Sequence, residues 1–302
     1  MPDVDREAVA ESTLLGSASA WLIWLGLLAA FSPVVLDLVD HVVTHPWARI
    51  GIVFPWLAWI AVHRDRAGTA GRSNRLIWIC LLLAIGIELL AVSGDVLRLG
   101  RFGLVIAAVG LVRGAGWAGP ASALVLVWLV PLPNAFVGML SPALETTWGS
   151  LSVVLAPGVG LESESRVPAI VAEQARLVLQ PEDGGLAMGF GLAGLGWFQA
   201  AAAGGNLFDA AGRALRWGVM MVPAQLTIVA LASIALAFGS SEGLARSILD
   251  EAGWLMILVL ALVLSARTLR TDASGILGGQ WKGTSNRSMN DASDDSTRAG
   301  AC

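Results

Sequence analysis

Long apolar segments dominate this chain and constrain its fold more than any other feature. A transmembrane helix needs about 20 mostly apolar residues to cross a hydrocarbon layer about 30 Å thick. Hydrophobic residues make up 56% of the 302 residues and charged residues only 14%, which is far more apolar than a soluble domain. The sequence therefore predicts an all-α fold, a polytopic transmembrane helix bundle of about eight spans. The predicted spans are 15–36, 47–63, 75–93, 101–113, 117–130, 184–204, 217–239 and 252–267.

Residues 101–130 allow two interpretations. The apolar runs 101–113 and 117–130 are short, and they are separated by a cluster of residues that interrupt helices. That region forms either one broken span or two separate spans. The interrupting residues are Arg113, Gly114, Gly116, Gly119 and Pro120.

Basic residues orient the predicted bundle, because cytoplasmic loops near span ends carry an excess of Lys and Arg. The loop 64–75 contains four arginines, the turn 205–216 contains Arg213 and Arg216, and Arg267 and Arg270 follow the last span. We expect these segments and both termini to be cytoplasmic. The segments expected to face outward contain fewer basic residues and are 37–46, 94–100, 131–183 and 240–251.

Three regions follow from this organisation. Residues 1–14 form a cytoplasmic N-terminal tail, and residues 15–270 form the transmembrane domain. Residues 271–302 are rich in Gly, Ser, Asp and Asn, a composition typical of a disordered cytoplasmic tail. The outward segment 131–183 contains an apolar stripe at helical spacing, which predicts an amphipathic helix. It also contains "RVPAIVAEQARLVLQP", which predicts a short hairpin on either side of a polar turn.

The sequence excludes several functions. It carries no basic nucleic-acid footprint, and we expect no cofactor and no bound metal. His41 and His45 are four residues apart, but such a pair without a further ligand is a weak metal motif.

Cys80 lies among apolar residues and is interpreted as a packing residue, and Arg49 is interpreted as reaching outward to solvent. Glu88 lies inside the third span, where it either pairs with a cation or is hydrated near the interface.

The span that follows the acidic pair Glu182 and Asp183 carries small residues along nearly one face. Such residues allow a neighbouring helix to approach closely. Asp183 is interpreted as the N-cap of this helix, where its charge complements the helix dipole. The small residues are Gly185, Gly189, Ala193, Gly196 and Ala200.

Several stretches together resemble the exosortase/archaeosortase family over roughly residues 20–267. "HVVTHPWARIGIVFPWLAWIAVHRDR" is similar to the second-span region of that family, and "VWLVPLPNAFVGMLSPALETTWGSLSVVLAPGVG" to its Pro-Leu-Pro element and the helix that follows. "EDGGLAMGFGLAGL" stands where the family has Cys-Ser-Gly-Leu, and "GRALRWGVMMVPAQLTIVALA" where it has a basic turn, a Pro and Asn-x-x-Arg. "LDEAGWLMILVLAL" resembles its last span.

The resemblance implies a multi-pass protein of a prokaryotic plasma membrane that handles exported proteins. Members of the family are thiol transpeptidases that recognise a C-terminal sorting signal, made of a short motif, a transmembrane helix and a basic end. Their chemistry is assigned to Cys, Arg and His at the outer ends of three spans. Those positions fall near Asp183, Ala232 and Leu249 in this chain, so none of the three catalytic residues is retained.

Three hypotheses follow from this resemblance and from the absence of the family's three catalytic residues. In the first, a degenerate exosortase-like protein embedded in membrane lipid binds or escorts the C-terminal transmembrane anchors of exported proteins, or assists an active paralogue. Glu182, Asp183, Arg246 and Asp250 are its candidate substrate-binding residues. In the second, the chain is an active membrane peptidase or transpeptidase that works through other residues, with Asp183 as the leading candidate. In the third, it is a non-enzymatic transporter or membrane scaffold.

Overall fold

The computed structural model describes residues 22–65, 73–94, 96–130, 139, 143, 162–164, 169–172, 175–178 and 185–285. Of these residues, 86% are helical. The chain divides into two compact units, Met1–Leu258 and Val259–Cys302. The contacts described below lie within the first unit. Residues 1–21 and 286–302, and with them most of both predicted tails, lie outside the described residues.

The first predicted span is bent instead of straight. Helix α1 (Leu22–Ala30) and helix α2 (Ser32–Thr44) meet at an angle of 79°. Pro33 lies in the first turn of α2, where its missing N–H costs little, but the same proline interrupts a helix that arrives from the N-terminal side. Helix α2 ends at Thr44, so the helical region extends beyond residue 36, where the predicted first span ends.

The second predicted span is built from two helical types. A 3-10 helix covers Pro46–Ile52, and helix α3 covers Val53–Asp65. Most of the apolar residues of α3 are buried, so this short helix packs among the neighbouring helices. At its end, the Oδ2 atom of Asp65 accepts a hydrogen bond of 2.6 Å from the backbone N–H of Gly119.

Helices α4 (Asn74–Ser93) and α5 (Leu97–Gly114) form an antiparallel helical hairpin. Ser73 caps α4, since its side chain accepts a hydrogen bond from the N–H of Leu76. Gly110 permits the close approach of the two helices, because a Cβ atom at this position would collide with the side chain of Cys80. The thiol of Cys80 is thus a packing group between α4 and α5, as predicted.

Residues 101–130 form two separate helical segments. After α5, a turn at Gly116 with a φ of 72° reverses the chain. Helix α6 (Pro120–Ala123) and a 3-10 helix (Leu124–Leu129) then run back against α5. Gly116 has a left-handed backbone conformation, which glycine adopts readily. This conformation allows the chain to change direction between α5 and α6.

A small antiparallel sheet lies in the predicted outward segment. Strands β1 (Glu162–Glu164), β2 (Ala169–Ala172) and β3 (Ala175–Val178) are arranged in sequence order. Strands β2 and β3 form a hairpin in which Ala172 faces Ala175. The predicted hairpin is confirmed, and β1 adds a third strand that the sequence did not indicate. The predicted amphipathic helix lies outside the described residues, apart from Met139 and Ala143, which are helical.

The remaining described chain consists of four helices, α7 (Leu186–Ala202), α8 (Leu207–Val219), α9 (Met221–Ala237) and α10 (Glu242–Ser285). The sequence predicted a turn at 205–216, and this prediction is wrong because α8 occupies most of that segment; the cytoplasmic placement of the segment stays a prediction. Asn206 and Asp209 form a reciprocal capping box that starts α8. Such a box satisfies two backbone N–H groups at once. Helix α10 continues beyond residue 270, where the disordered tail was expected to begin.

Small residues of α7 permit close packing against α8 and α9, as predicted. A Cβ atom at Gly196 would lie 2.6 Å from the carbonyl oxygen of Arg213. The Cβ atom of Ala193 lies 3.5 Å from the Cβ position of Gly218. Trp197 packs between helices and donates its Nε1–H to the carbonyl of Ala121 over 2.8 Å.

Three helices in the described part of the chain are long and apolar enough to cross a membrane. They are Asn74–Ser93, the continuous segment Leu207–Ala237 and Glu242–Arg270. The bent pair α1 and α2 makes four if it counts as one span. The chain is therefore mostly helical and has the features of a membrane protein, but the prediction of eight spans is not confirmed. Helix α7 and the segment Pro120–Leu129 are apolar but shorter.

Candidate functional site

An ion pair joins the 3-10 helix at Pro46–Ile52 to α10. The Nη1 atom of Arg49 donates to Oε1 of Glu251 over 2.8 Å and to Oε2 over 3.1 Å. Trp254, one turn further along α10, donates its Nε1–H to Oε2 of the same carboxylate. One carboxylate thus holds together two segments about 200 residues apart in the chain. The Arg49 and Glu251 side chains are 30% and 38% exposed, so this group is open to solvent or ligand.

This group lies beside the start of α7. Gly253 approaches the Sδ atom of Met188, and Gly191 approaches Ile50 and Ile257. The residues that flank Arg49 and Glu251 therefore line the first turns of α7. We call Arg49, Glu251 and Trp254, together with the neighbouring Arg246 and Asp250, the Glu251 cluster.

The start of α7 has a constrained backbone. Gly185 is the N-cap residue and has a φ of 73°, a left-handed conformation that side-chain-bearing residues rarely adopt. A Cβ atom here would also lie 3.1 Å from the Cβ of Gln225. The N-cap prediction for Asp183 is therefore wrong, because Gly185 occupies that position. Glu182 and Asp183 precede it in sequence, separated from it by Gly184, and lie outside the described residues.

Two other predicted substrate-binding residues lie on the first turns of α10. The Nη2 atom of Arg246 lies 3.0 Å from Oδ1 of Asp250, a pair four residues apart on one helix. Ala232 on α9 and Leu249 on α10, which occupy positions of catalytic residues in the resemblance, are both buried. They are apolar packing residues, so they supply no donor, acceptor or nucleophile.

Sequence reasoning missed the central residue of this group. Glu251 was not singled out, although it stands next to Asp250 in "LDEAGW". Arg49 was expected to reach outward to solvent, and instead it pairs with Glu251. An arginine and a glutamate at the ends of two apolar segments are a sequence signal for an ion pair. Whether the two residues meet depends on how the helices pack.

A second ion pair is more deeply buried. Arg101 is 4% exposed; its Nη2 atom lies 2.7 Å from Oδ2 of Asp37, and its Nε donates to the same oxygen over 2.9 Å. It ties α2 to α5. His41, one turn beyond Asp37 on α2, is also buried, and its ring centroid lies 4.4 Å from that of His45. These polar groups fix helix packing.

Glu88 forms no ion pair with any residue that the structure describes, so the predicted pairing with a cation is wrong, whereas its hydration stays a prediction. Its Oε2 atom is buried and makes no hydrogen bond to any of these residues. A Cβ atom at Gly100 would lie 2.5 Å from this oxygen, so the carboxyl group is held between α4 and α5. By contrast, the hydroxyl groups of Thr227 and Ser233 donate to backbone carbonyls one turn earlier in α9.

The described residues supply no familiar catalytic arrangement. They contain no group of three or more His, Cys, Asp and Glu side chains that could hold a metal ion. Within the same residues, the thiol of Cys80 packs against Gly110 and makes no hydrogen bond or electrostatic interaction with a base or cation that could activate it. What the Glu251 cluster offers is binding chemistry, namely carboxylate acceptors, guanidinium donors and an indole N–H.

Comparisons with protein-family models, with curated proteins and with solved structures find no match. The resemblance to the exosortase/archaeosortase family rests on the sequence motifs alone and stays a prediction.

Proposed function

We propose that this chain is an exosortase-like integral membrane protein that binds the C-terminal transmembrane anchors of exported proteins without thiol catalysis. It holds such an anchor directly, or presents it to an active paralogue. The observation that carries this proposal is the partly exposed Arg49–Glu251–Trp254 group at the start of α7. In the resemblance, the start of α7 is the place of the nucleophile.

Charge favours a polypeptide ligand at this place. The Glu251 cluster pairs each arginine with a carboxylate, since Arg49 lies against Glu251 and Arg246 against Asp250. Glu182 and Asp183 precede α7 in sequence and add negative charge to this region of the chain. A cationic or hydrogen-bond-donating residue that flanks an anchor helix would therefore be attracted here.

The exposed apolar surface of the helices would contact the transmembrane anchor in this proposal. Exposed apolar side chains cover much of α4, including Leu82, Leu89 and Leu90. Such a surface suits lipid or another apolar helix equally well, so it does not select a partner by itself. Selection in this proposal comes from the polar Glu251 cluster, where a partner must satisfy charged groups at a membrane boundary.

Photo-crosslinking in cells tests this function. A photoreactive residue replaces Gly184, next to Asp183, or Ser247, next to Arg246, in the full chain, and a single-span exported protein with a basic C-terminal end is co-expressed. A matched control places the same residue at Leu89, which is 66% exposed on α4. We expect capture of the anchored protein from positions 184 and 247 and little capture from position 89. Equal capture from all three positions, or none from 184 and 247, would contradict the proposal.

A further inference from the structure

Helix α8 presents charged and apolar side chains on its exposed surface. Leu215, Val219 and Val222 are 71%, 61% and 42% exposed, and their spacing of four and three residues places them on one line along α8 and the start of α9. The opposite side of α8, with Ala210 and Ala214, is buried. The exposed line is therefore an outer surface of the bundle.

Helices α8 and α9 together are longer than a membrane is thick. The continuous segment Leu207–Ala237 has 31 residues, which corresponds to about 46 Å at 1.5 Å per residue. The hydrocarbon layer is about 30 Å thick, so roughly ten residues extend beyond it. Helix α9 contains no charged residue, whereas α8 contains Asp209, Arg213 and Arg216. When the uncharged helix α9 fills the hydrocarbon layer, the excess length belongs to α8, which would bring both arginines to the level of the lipid headgroups.

The two arginines are available for a ligand. Arg213 and Arg216 are exposed, and neither makes an ion pair or hydrogen bond through its side chain to another residue in the described part of the chain. Their spacing of three residues places both guanidinium groups on the same side of α8. Asp209, the nearby carboxylate, is engaged in the capping box with Asn206.

We infer that α8 binds an anionic phospholipid. The guanidinium groups of Arg213 and Arg216 hold the phosphate of its headgroup, and its acyl chains lie along Val219 and Val222, on the α9 side of the arginines. Guanidinium groups suit phosphate oxygens because their N–H donors match the geometry of those acceptors. Basic residues at the edge of a transmembrane segment attract anionic lipid in the same way. This site is separate from the Glu251 cluster and does not depend on the proposed function.

Lipid retention by the full-length protein tests this inference. The protein is purified in mild detergent, supplied with phosphatidylglycerol or phosphatidylcholine, and analysed by native mass spectrometry. The test variant is Arg213→Gln with Arg216→Gln. The matched control is Arg98→Gln, since Arg98 is also an exposed arginine, on α5. Circular dichroism and thermal unfolding verify that both variants fold.

We expect the double variant to bind phosphatidylglycerol about tenfold more weakly than the unmodified protein. The Arg98→Gln variant should change this affinity less than twofold, and phosphatidylcholine should bind equally to all forms. Equal retention of phosphatidylglycerol by the double variant and the unmodified protein would overturn the inference. Displacement of the lipid by millimolar inorganic phosphate would also overturn it, because the ligand would then be free phosphate.

Discussion

Glu251 is the residue whose replacement most directly tests how the candidate site is built. Its carboxylate accepts from both Arg49 and Trp254. The ion-paired side chains are 30% and 38% exposed, so solvent screens the pair and its contribution is about 0.5–1 kcal/mol. The bond from the indole N–H adds about 1 kcal/mol. We expect Glu251→Ala to lower the free energy of unfolding by about 1.5–2 kcal/mol.

Glu251→Gln separates the two contributions. A glutamine keeps an oxygen that can accept from Trp254 but loses the charge that pairs with Arg49, so its cost should be about 0.5–1 kcal/mol. Reversible unfolding in mixed micelles measures these values. A double-mutant cycle with Arg49→Met isolates the energy of the pair. Asp250→Asn is the control, because it breaks only the pair with Arg246 on the same helix, worth about 0.3–0.5 kcal/mol.

The outcome that refutes this reasoning is specific. A coupling energy between Arg49 and Glu251 below about 0.2 kcal/mol would show that the contact contributes nothing measurable. If Glu251→Ala lowered the free energy of unfolding by no more than Asp250→Asn does, the hydrogen bond from Trp254 to the Glu251 carboxylate would contribute nothing measurable.

Three further predictions concern stability, each measured by the same unfolding assay. Arg101→Met should cost about 2–3 kcal/mol, because it leaves the carboxylate of Asp37 without its buried partner; a cost below 1 kcal/mol would be unexpected. Gly185→Ala should cost about 1–2 kcal/mol because of the left-handed backbone, and an unchanged midpoint would argue against that conformation. Asn206→Ala should cost about 1 kcal/mol through loss of the cap of α8, while Asn206→Asp should retain most of it.

The sequence predicted those parts of the fold that depend on local pattern. The span predicted at 75–93 corresponds to α4 at Asn74–Ser93, since a long uninterrupted apolar run permits few other structures. The hairpin of β2 and β3 also follows from a local pattern, with apolar strands on either side of a polar turn. The small residues of α7 are also a local pattern. They indicated close helix packing because a helix face of glycine and alanine leaves room for a neighbouring helix.

Features that depend on competition between local signals were predicted less well. The bend between α1 and α2 comes from Pro33, which outweighs the continuous apolar run around it. The segment 205–216 was predicted as a turn because it lies between two predicted spans, yet the capping box of Asn206 and Asp209 starts α8 there. The prediction of eight spans is not confirmed, since short apolar helices such as α7 in the described part of the chain fall below the length of a membrane-spanning helix.

The candidate site was predicted only in part, for a different reason. Arg246 and Asp250 were identified from their place near the last span, and they pair with each other. Glu251 was missed because its partner Arg49 is about 200 residues away in sequence. No local pattern records which charged residues of distant helices meet, since this is decided by the packing of the whole bundle.

The central claim is that this chain binds an anchored polypeptide and leaves it intact. The most direct measurement is the mass of the partner captured by crosslinking at position 247, determined with and without alkylation of the cysteines. We predict a full-length partner in both samples, because Cys80, the cysteine that the structure describes, packs between α4 and α5. A captured partner shortened at its C-terminal end would contradict the account, and if Asp183→Ala restored the full mass, the chain would be a peptidase that works through Asp183.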